Sequence, residues 1–169
     1  GPLADGFGFV ASGRGHGVSS EHNSSYYSFG SDSCRGTGGT NAITGVGFQP
    51  DLVWAKVRSA GYSHGMFDSV RGVTKKISSN LAYQEVTLSG LTAFGSDGFT
   101  MGSDDGTNED ESTFVSWNWK AGTTSGINAT GADITPSAYS FNQTSGVSII
   151  QYEGNATGGS EEAAKFKKG

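Results

Sequence analysis

One cysteine, Cys34, stands among 169 residues. A lone thiol closes no intrachain disulfide and builds no zinc cage, so neither a disulfide scaffold nor a zinc module is available. It remains a free thiol, an intermolecular bridge or a residue buried at an interface. Charge is scarce as well: 16% of residues are charged, against ~25% in an average domain. Lys and Arg number 11 against 16 Asp and Glu, and the largest basic cluster is Lys165-Phe166-Lys167-Lys168. Nucleic-acid binding therefore lacks its electrostatic footprint. No apolar run approaches the ~18 residues of a membrane-spanning helix, so membrane insertion is not expected. Gly1-Pro2 stands where an initiator Met would, as in a tag-cleavage scar or a processed segment.

Glycine is abundant, at 28 positions, and 19 aromatic side chains supply much of the area available for burial. Together they describe a folded domain with a thin core and many turns, and they disfavour helical bundles. Period-two alternation dominates. In 112–120, Thr113, Val115, Trp117 and Trp119 share one face, and Phe114, Ser116, Asn118 and Lys120 the other. In 51–58, Leu52, Trp54 and Lys56 oppose Val53, Ala55 and Val57, a pattern apolar enough on both faces for a central strand. A third strand is predicted over 147–152, with shorter ones at 7–10, 26–29, 42–46, 76–78, 83–87 and 99–101. Turn signals such as Ser96-Asp97-Gly98 and Asp105-Gly106 separate them. Short strands at this spacing predict an all-β fold, an antiparallel β-sandwich of jelly-roll or concanavalin-like type. Residues 1–169 form one domain in this reading. Its module core is 42–122, and 123–169 hold a linker, a terminal strand and a charged tail that is either a short helix or solvated chain.

The stretch from Gly47 to Gly122 carries an ordered set of phrases: GFQPDLVWAKVRS, then Ser63-His64, FDSVRG, LTAFGSDGFT and VSWNWKAG. In this order they resemble a repeat module of marine bacteriophage tail-fibre and other virion surface proteins. The resemblance implies a lectin-like β-sandwich on a virion surface, often tandemly repeated. It supplies no catalytic residues. The first 40 residues and the SEEAAKFKKG tail depart from the pattern, and the strand that would open another repeat is missing. A weak echo between 152–160 and 34–40 is consistent with a second copy that is cut short.

Candidate chemistry concentrates in a few places. The segment 104–111 (DDGTNEDE) holds five carboxylates in eight residues. Hard cations want six to eight oxygens, so Asp104, Asp105, Asn108 and Asp110 are candidate Ca²⁺ ligands. EF-hand spacing is absent, and a solvated hairpin loop whose charges protect an edge accounts for the same residues. Ser63, His64 and Asp68 supply nucleophile, base and orienter types, but they are nearly consecutive and lack a nucleophile elbow; turn-fixing hydrogen bonds are expected. His16, His22 and Glu21 follow no metal spacing. Asn23, Asn128, Asn142 and Asn155 head N-x-Ser/Thr triplets, which would be glycan sites only in a secreted eukaryotic protein.

Sugar sites pack a pyranose C–H face on an aromatic ring while hydroxyls meet polar groups. Trp54 and Trp117 are expected in the core, with Trp117→Ala costing on the order of 3–5 kcal/mol. Tyr62, Tyr83 and Tyr26, with Tyr27, are then the candidate ligand-contact aromatics, and His64 and Asp68 the polar partners. The expected function is non-enzymatic adhesion of a virion surface or tail-fibre domain to a host cell-surface polysaccharide, strengthened where a trimeric or repeated fibre presents several copies. Two alternatives stand beside it. One is a structural module that assembles with copies of itself or other virion proteins by strand addition. The other is a glycan-degrading enzyme using carboxylates such as Asp97, Asp104 and Glu109.

Overall fold

The computed structural model describes residues 35–155 and, ahead of them, two strands, β1 (Gly17–Ser19) and β2 (Ser24–Tyr27). The two strongest alternating segments become the centre of the main sheet. β4 (Leu52–Val57) and β10 (Phe114–Trp119) pair antiparallel over their whole length, from Leu52 opposite Trp119 to Val57 opposite Phe114. β2 flanks β10, and β5 (Gly65–Asp68) flanks β4, giving a five-stranded sheet in the order β1-β2-β10-β4-β5. A short ribbon of β6 (Lys75–Lys76) and β7 (Val86–Thr87) adjoins β5 where Ile77 bridges Met66.

Facing this sheet are β3 (Asn41–Thr44), β9 (Gly98–Met101) and β8 (Leu91–Gly95), in the order β3-β9-β8. Ser96-Asp97 turns β8 into β9. Asp97 then fixes the neighbouring loop: its carboxylate accepts the amides of Gly45 at 3.0 Å and Gly47 at 2.6 Å. Gly98 must be glycine, since its φ is +152° and a Cβ there would lie 2.0 Å from the Ile43 carbonyl oxygen.

The core lies between the two sheets. Val53, Ala55, Val57, Phe67 and Phe114 come from the large sheet, and Ile43, Leu91, Phe99 and Met101 from the small one; Val46 and Phe48, between β3 and β4, join the same cluster. The chain is thus an all-β protein of antiparallel sheets packed as a sandwich. Among the described residues there is one helical turn, α1 (Asp105–Asn108), inside the acidic segment. A last hairpin, β11 (Ala138–Asn142) and β12 (Val147–Gln151), is tied to the body where Thr123 bridges Phe141 and the Gly122 amide donates to Ser140 Oγ at 2.8 Å.

The expected strands at 26–29, 42–46, 76–78 and 83–87 correspond to shifted or shortened β2, β3, β6 and β7, and 99–101 to β9, one residue longer; β1, β5, β8 and β11 fall where no strand is expected. The candidate strand 7–10 and the tail 160–168 lie outside the described residues.

One expectation is overturned. Val53, Ala55 and Val57 face inward with Phe114, Ser116 and Asn118, so Trp54 and Trp117 stand half-buried on the outer face. The reason is in the register. Lys56 shares a face with Trp54, and turning the tryptophan inward would bury an unpaired ammonium. The inward choice has its own cost: Asn118 donates Nδ2 to Ser116 Oγ, but its buried Oδ1 has no partner among the described residues.

Candidate functional site

The outer face of the five-stranded sheet carries a row at a single register. Trp117 of β10 lies opposite Trp54 of β4, Trp54 opposite Met66 of β5, and Met66 opposite Ile77. On the other side Trp117 is opposite Tyr26 of β2; the Tyr26 side chain lies outside the described residues. Because same-face neighbours repeat at the ~4.8 Å strand spacing, the row is a continuous apolar ridge running perpendicular to the strands. The Trp54 and Trp117 rings are 5.3 Å apart at 49°, a tilted aromatic pair.

His64, just before β5, completes the group. Its ring centroid is 5.5 Å from that of Trp54, and Trp54 Nε1–H donates to His64 Nδ1 at 2.8 Å. That bond requires Nδ1 to be unprotonated, so the ring proton sits on Nε2. Partial burial first, and the Lys56 ammonium second, push His64 below the ordinary imidazole value and keep it neutral. The His64 amide donates to Asn80 Oδ1 at 3.0 Å, which brings the loop holding exposed Leu81 and Tyr83 alongside. Lys56 directs its ammonium to the carbonyls of Val57 and Ala60. Chemically, the arrangement offers two indole faces, one fixed imidazole and hydrogen-bonding groups at the margin. A polyhydroxylated ring with an apolar face fits such a surface.

The other residues singled out in the sequence are dispersed. Tyr83 is 73% exposed in the loop after β6. Tyr62 lies toward the acidic segment and donates to Glu109 Oε1 at 3.0 Å; this bond, then the Glu109 charge, raises the phenol above its ordinary value. Asp68 is buried, with Oδ2 2.6 Å from Arg71 Nε and Oδ1 accepting the amides of Val70 and Arg71. It holds the turn after β5 and presents no free oxygen to a ligand. Ser63 meets Ser78 at 3.5 Å, so Ser63, His64 and Asp68 each have a different partner and do not converge.

The acidic segment also divides its side chains. Asp104 pairs with Lys76 Nζ at 3.1 Å and accepts Thr107 Oγ1 at 2.9 Å. Glu109 takes Tyr62 and Ser112, and Glu111 takes Arg35. Asn108 is fully buried. Its Oδ1 accepts the Thr37 amide and Asn41 Nδ2, and its Nδ2 donates to the carbonyls of Gly39 and Gly102. Asp105 and Asp110 are exposed, and Gly106, Thr107 and Asn108 are buried rather than solvated. Asp104 and Asn108 are thus engaged with protein partners. Among the described residues no group of three or more His, Cys, Asp or Glu is placed to hold a metal ion. Cys34, His16, His22 and Glu21 lie outside the described residues.

The tryptophan pair was passed over in the sequence because large aromatics default to the core. Lys56, in phase with Trp54, was the signal that its face turns outward. A comparison with curated proteins and one with solved structures each find no match. The family DUF7483, a domain of unknown function, matches residues 22–164. Over residues 22–164, which take in β2 to β12, the chain belongs to that family.

Proposed function

We propose that this domain is a non-enzymatic adhesion module that binds a polysaccharide on the outer face of its five-stranded sheet. The observation that carries the reading is the half-buried Trp117–Trp54–His64 row on a face that the fold does not use for its core. Sugars are recognised by stacking on rigid aromatic faces, with neighbouring polar groups choosing the hydroxyls. The strands hold both indoles, and the hydrogen bond to His64 fixes one of them, so little conformational freedom is lost on binding. The virion surface or tail-fibre setting, with a host cell-surface glycan as partner, rests on the ordered phrases between Gly47 and Gly122.

A glycan array probed with a multivalent, labelled form of the chain tests the reading. A saturable signal competed by free glycan is expected, and it should survive EDTA because the ridge is aromatic rather than carboxylate. Trp54→Ala and Trp117→Ala should each abolish it. Each should cost only about 1–2 kcal/mol of stability, less than a fully buried tryptophan would. A blank array, or binding unchanged in both variants, overturns the proposal.

A further inference from the structure

The last hairpin ends in an unguarded edge. Among the described residues β12 pairs with β11 alone, from Val147 opposite Asn142 to Gln151 opposite Ala138, and its other edge meets no strand. Exposed edges are ordinarily blunted by lysine, proline, a bulge or an inward charge. β12 has none of these: Val-Ser-Ile-Ile-Gln is uncharged, and three of its five residues are β-branched and apolar. From Ala138 to Tyr152 there is no Asp, Glu, Lys or Arg at all.

The two faces of this hairpin are unlike. Ser140 is buried against the body. The other face lines up Tyr139 and Phe141, stacked at 6.1 Å between centroids, with Ile150 and Tyr152, which are 44% and 48% exposed. A two-stranded hairpin is marginal in isolation, and here Tyr139 and Phe141 are half-buried while Ile150 stays exposed. Residues 156–169 are dominated by Gly, Glu, Ala and Lys, poor strand formers.

We propose that the free edge of β12 pairs with the β12 of a second copy of this chain. An antiparallel match about a two-fold axis at Ile149 places Val147 opposite Gln151 and Ser148 opposite Ile150. Such a match is self-complementary, as an isologous contact requires. It converts two ribbons into one four-stranded sheet and doubles the apolar face of Tyr139, Phe141, Ile150 and Tyr152. The absence of charge along the edge is what permits like chains to meet there, although each carries a net charge of −5. The surface is separate from the tryptophan ridge, so this inference stands or falls independently of the glycan reading.

Sedimentation velocity across a concentration series, with Cys34→Ser to exclude thiol cross-linking, tests it. A monomer–dimer equilibrium is expected, with β12 amides gaining hydrogen-exchange protection as concentration rises. Ile150→Lys, at an exposed position, should leave circular dichroism and melting unchanged while weakening dimerisation at least tenfold, because the two ammonium groups would lie on the same face, diagonally across the axis at about 7–8 Å. A monomer throughout, or a dimer indifferent to Ile150→Lys, overturns the proposal. Concentration-independent protection of β12 would do so too.

Discussion

Asn108 shows how a residue of the acidic segment is committed to structure. Its amide oxygen and nitrogen join the loop before β3 to the end of β9, through Thr37, Gly39, Asn41 and Gly102. Truncation would strand several donors and acceptors in a site with no solvent access, and each orphan costs about 1–3 kcal/mol. Asn108→Ala is expected to lower unfolding free energy by roughly 3 kcal/mol in urea titrations. Asp105→Ala, at an exposed neighbour, should cost under about 0.5 kcal/mol; equal losses at both positions would contradict this placement. His64 makes a second residue-level prediction. Its neutral ring accepts a hydrogen bond from Trp54 Nε1–H, and burial holds its affinity for protons below that of the unfolded chain. The unfolded state then binds more protons in the window below about pH 6.5. The contribution of His64 to stability is complete above that pH and is lost as pH falls through the lowered native value. Tryptophan emission should shift in the same window, because protonated Nδ1 can no longer accept from Nε1. In His64→Gln that transition should vanish.

At the level of elements, the ion pair between Lys76 of β6 and Asp104 ahead of α1 ties the short ribbon to the acidic segment. The side chains are 8% and 18% exposed, and Thr107 adds a hydrogen bond to the same carboxylate oxygen. Removing one partner leaves the other desolvated and alone, whereas replacing both removes the desolvation cost as well. Asp104→Asn should destabilise by about 3 kcal/mol, while Lys76→Met combined with Asp104→Asn should recover most of the loss. A strictly additive double mutant, read from melting and denaturant curves, would show that the pair is not coupled. The elements also show what was legible in the chain. β4, β10 and β12 were legible as runs of five or six residues free of glycine and proline whose side chains divide between two faces, and burial keeps a strict two-residue period in β4 and β10. β5 and β8 were hidden, since Gly65–Asp68 and Leu91–Gly95 are short, contain glycine, and bulge between Leu91 and Ala93. Alternation also left open which face turns inward. Ser116 and Asn118 go inside because their strand is locked in register with Val53 and Ala55, a long-range constraint that no local window contains. The candidate site followed from that same choice: His64 was anticipated as a ligand group, while Trp54 and Trp117 were assigned to the core.

Over the whole molecule, the balance of charge sets how binding should respond to salt. The chain is acidic, with a net charge of −5, yet the proposed ridge is uncharged apart from Lys56 at its margin, whose ammonium is turned to the carbonyls of Val57 and Ala60. Screening lengths fall from ~30 Å at 0.01 M to ~3 Å at 1 M ionic strength. Recognition by basic side chains would weaken steeply over that range, and stacking on indole would not. Affinity for a neutral polysaccharide should therefore change by less than about twofold between ~0.02 and ~0.5 M NaCl, measured by calorimetry or by retardation in glycan-containing gels. The exposed Arg35–Glu111 pair contributes little to stability, so salt should not unfold the domain and confuse the reading. A strong loss of binding with salt would point to an acidic glycan held by Lys56. Flat dependence, with avidity rising ~10²–10⁴-fold when copies are linked, is the outcome that a repeated, aromatic, weakly binding adhesion module requires.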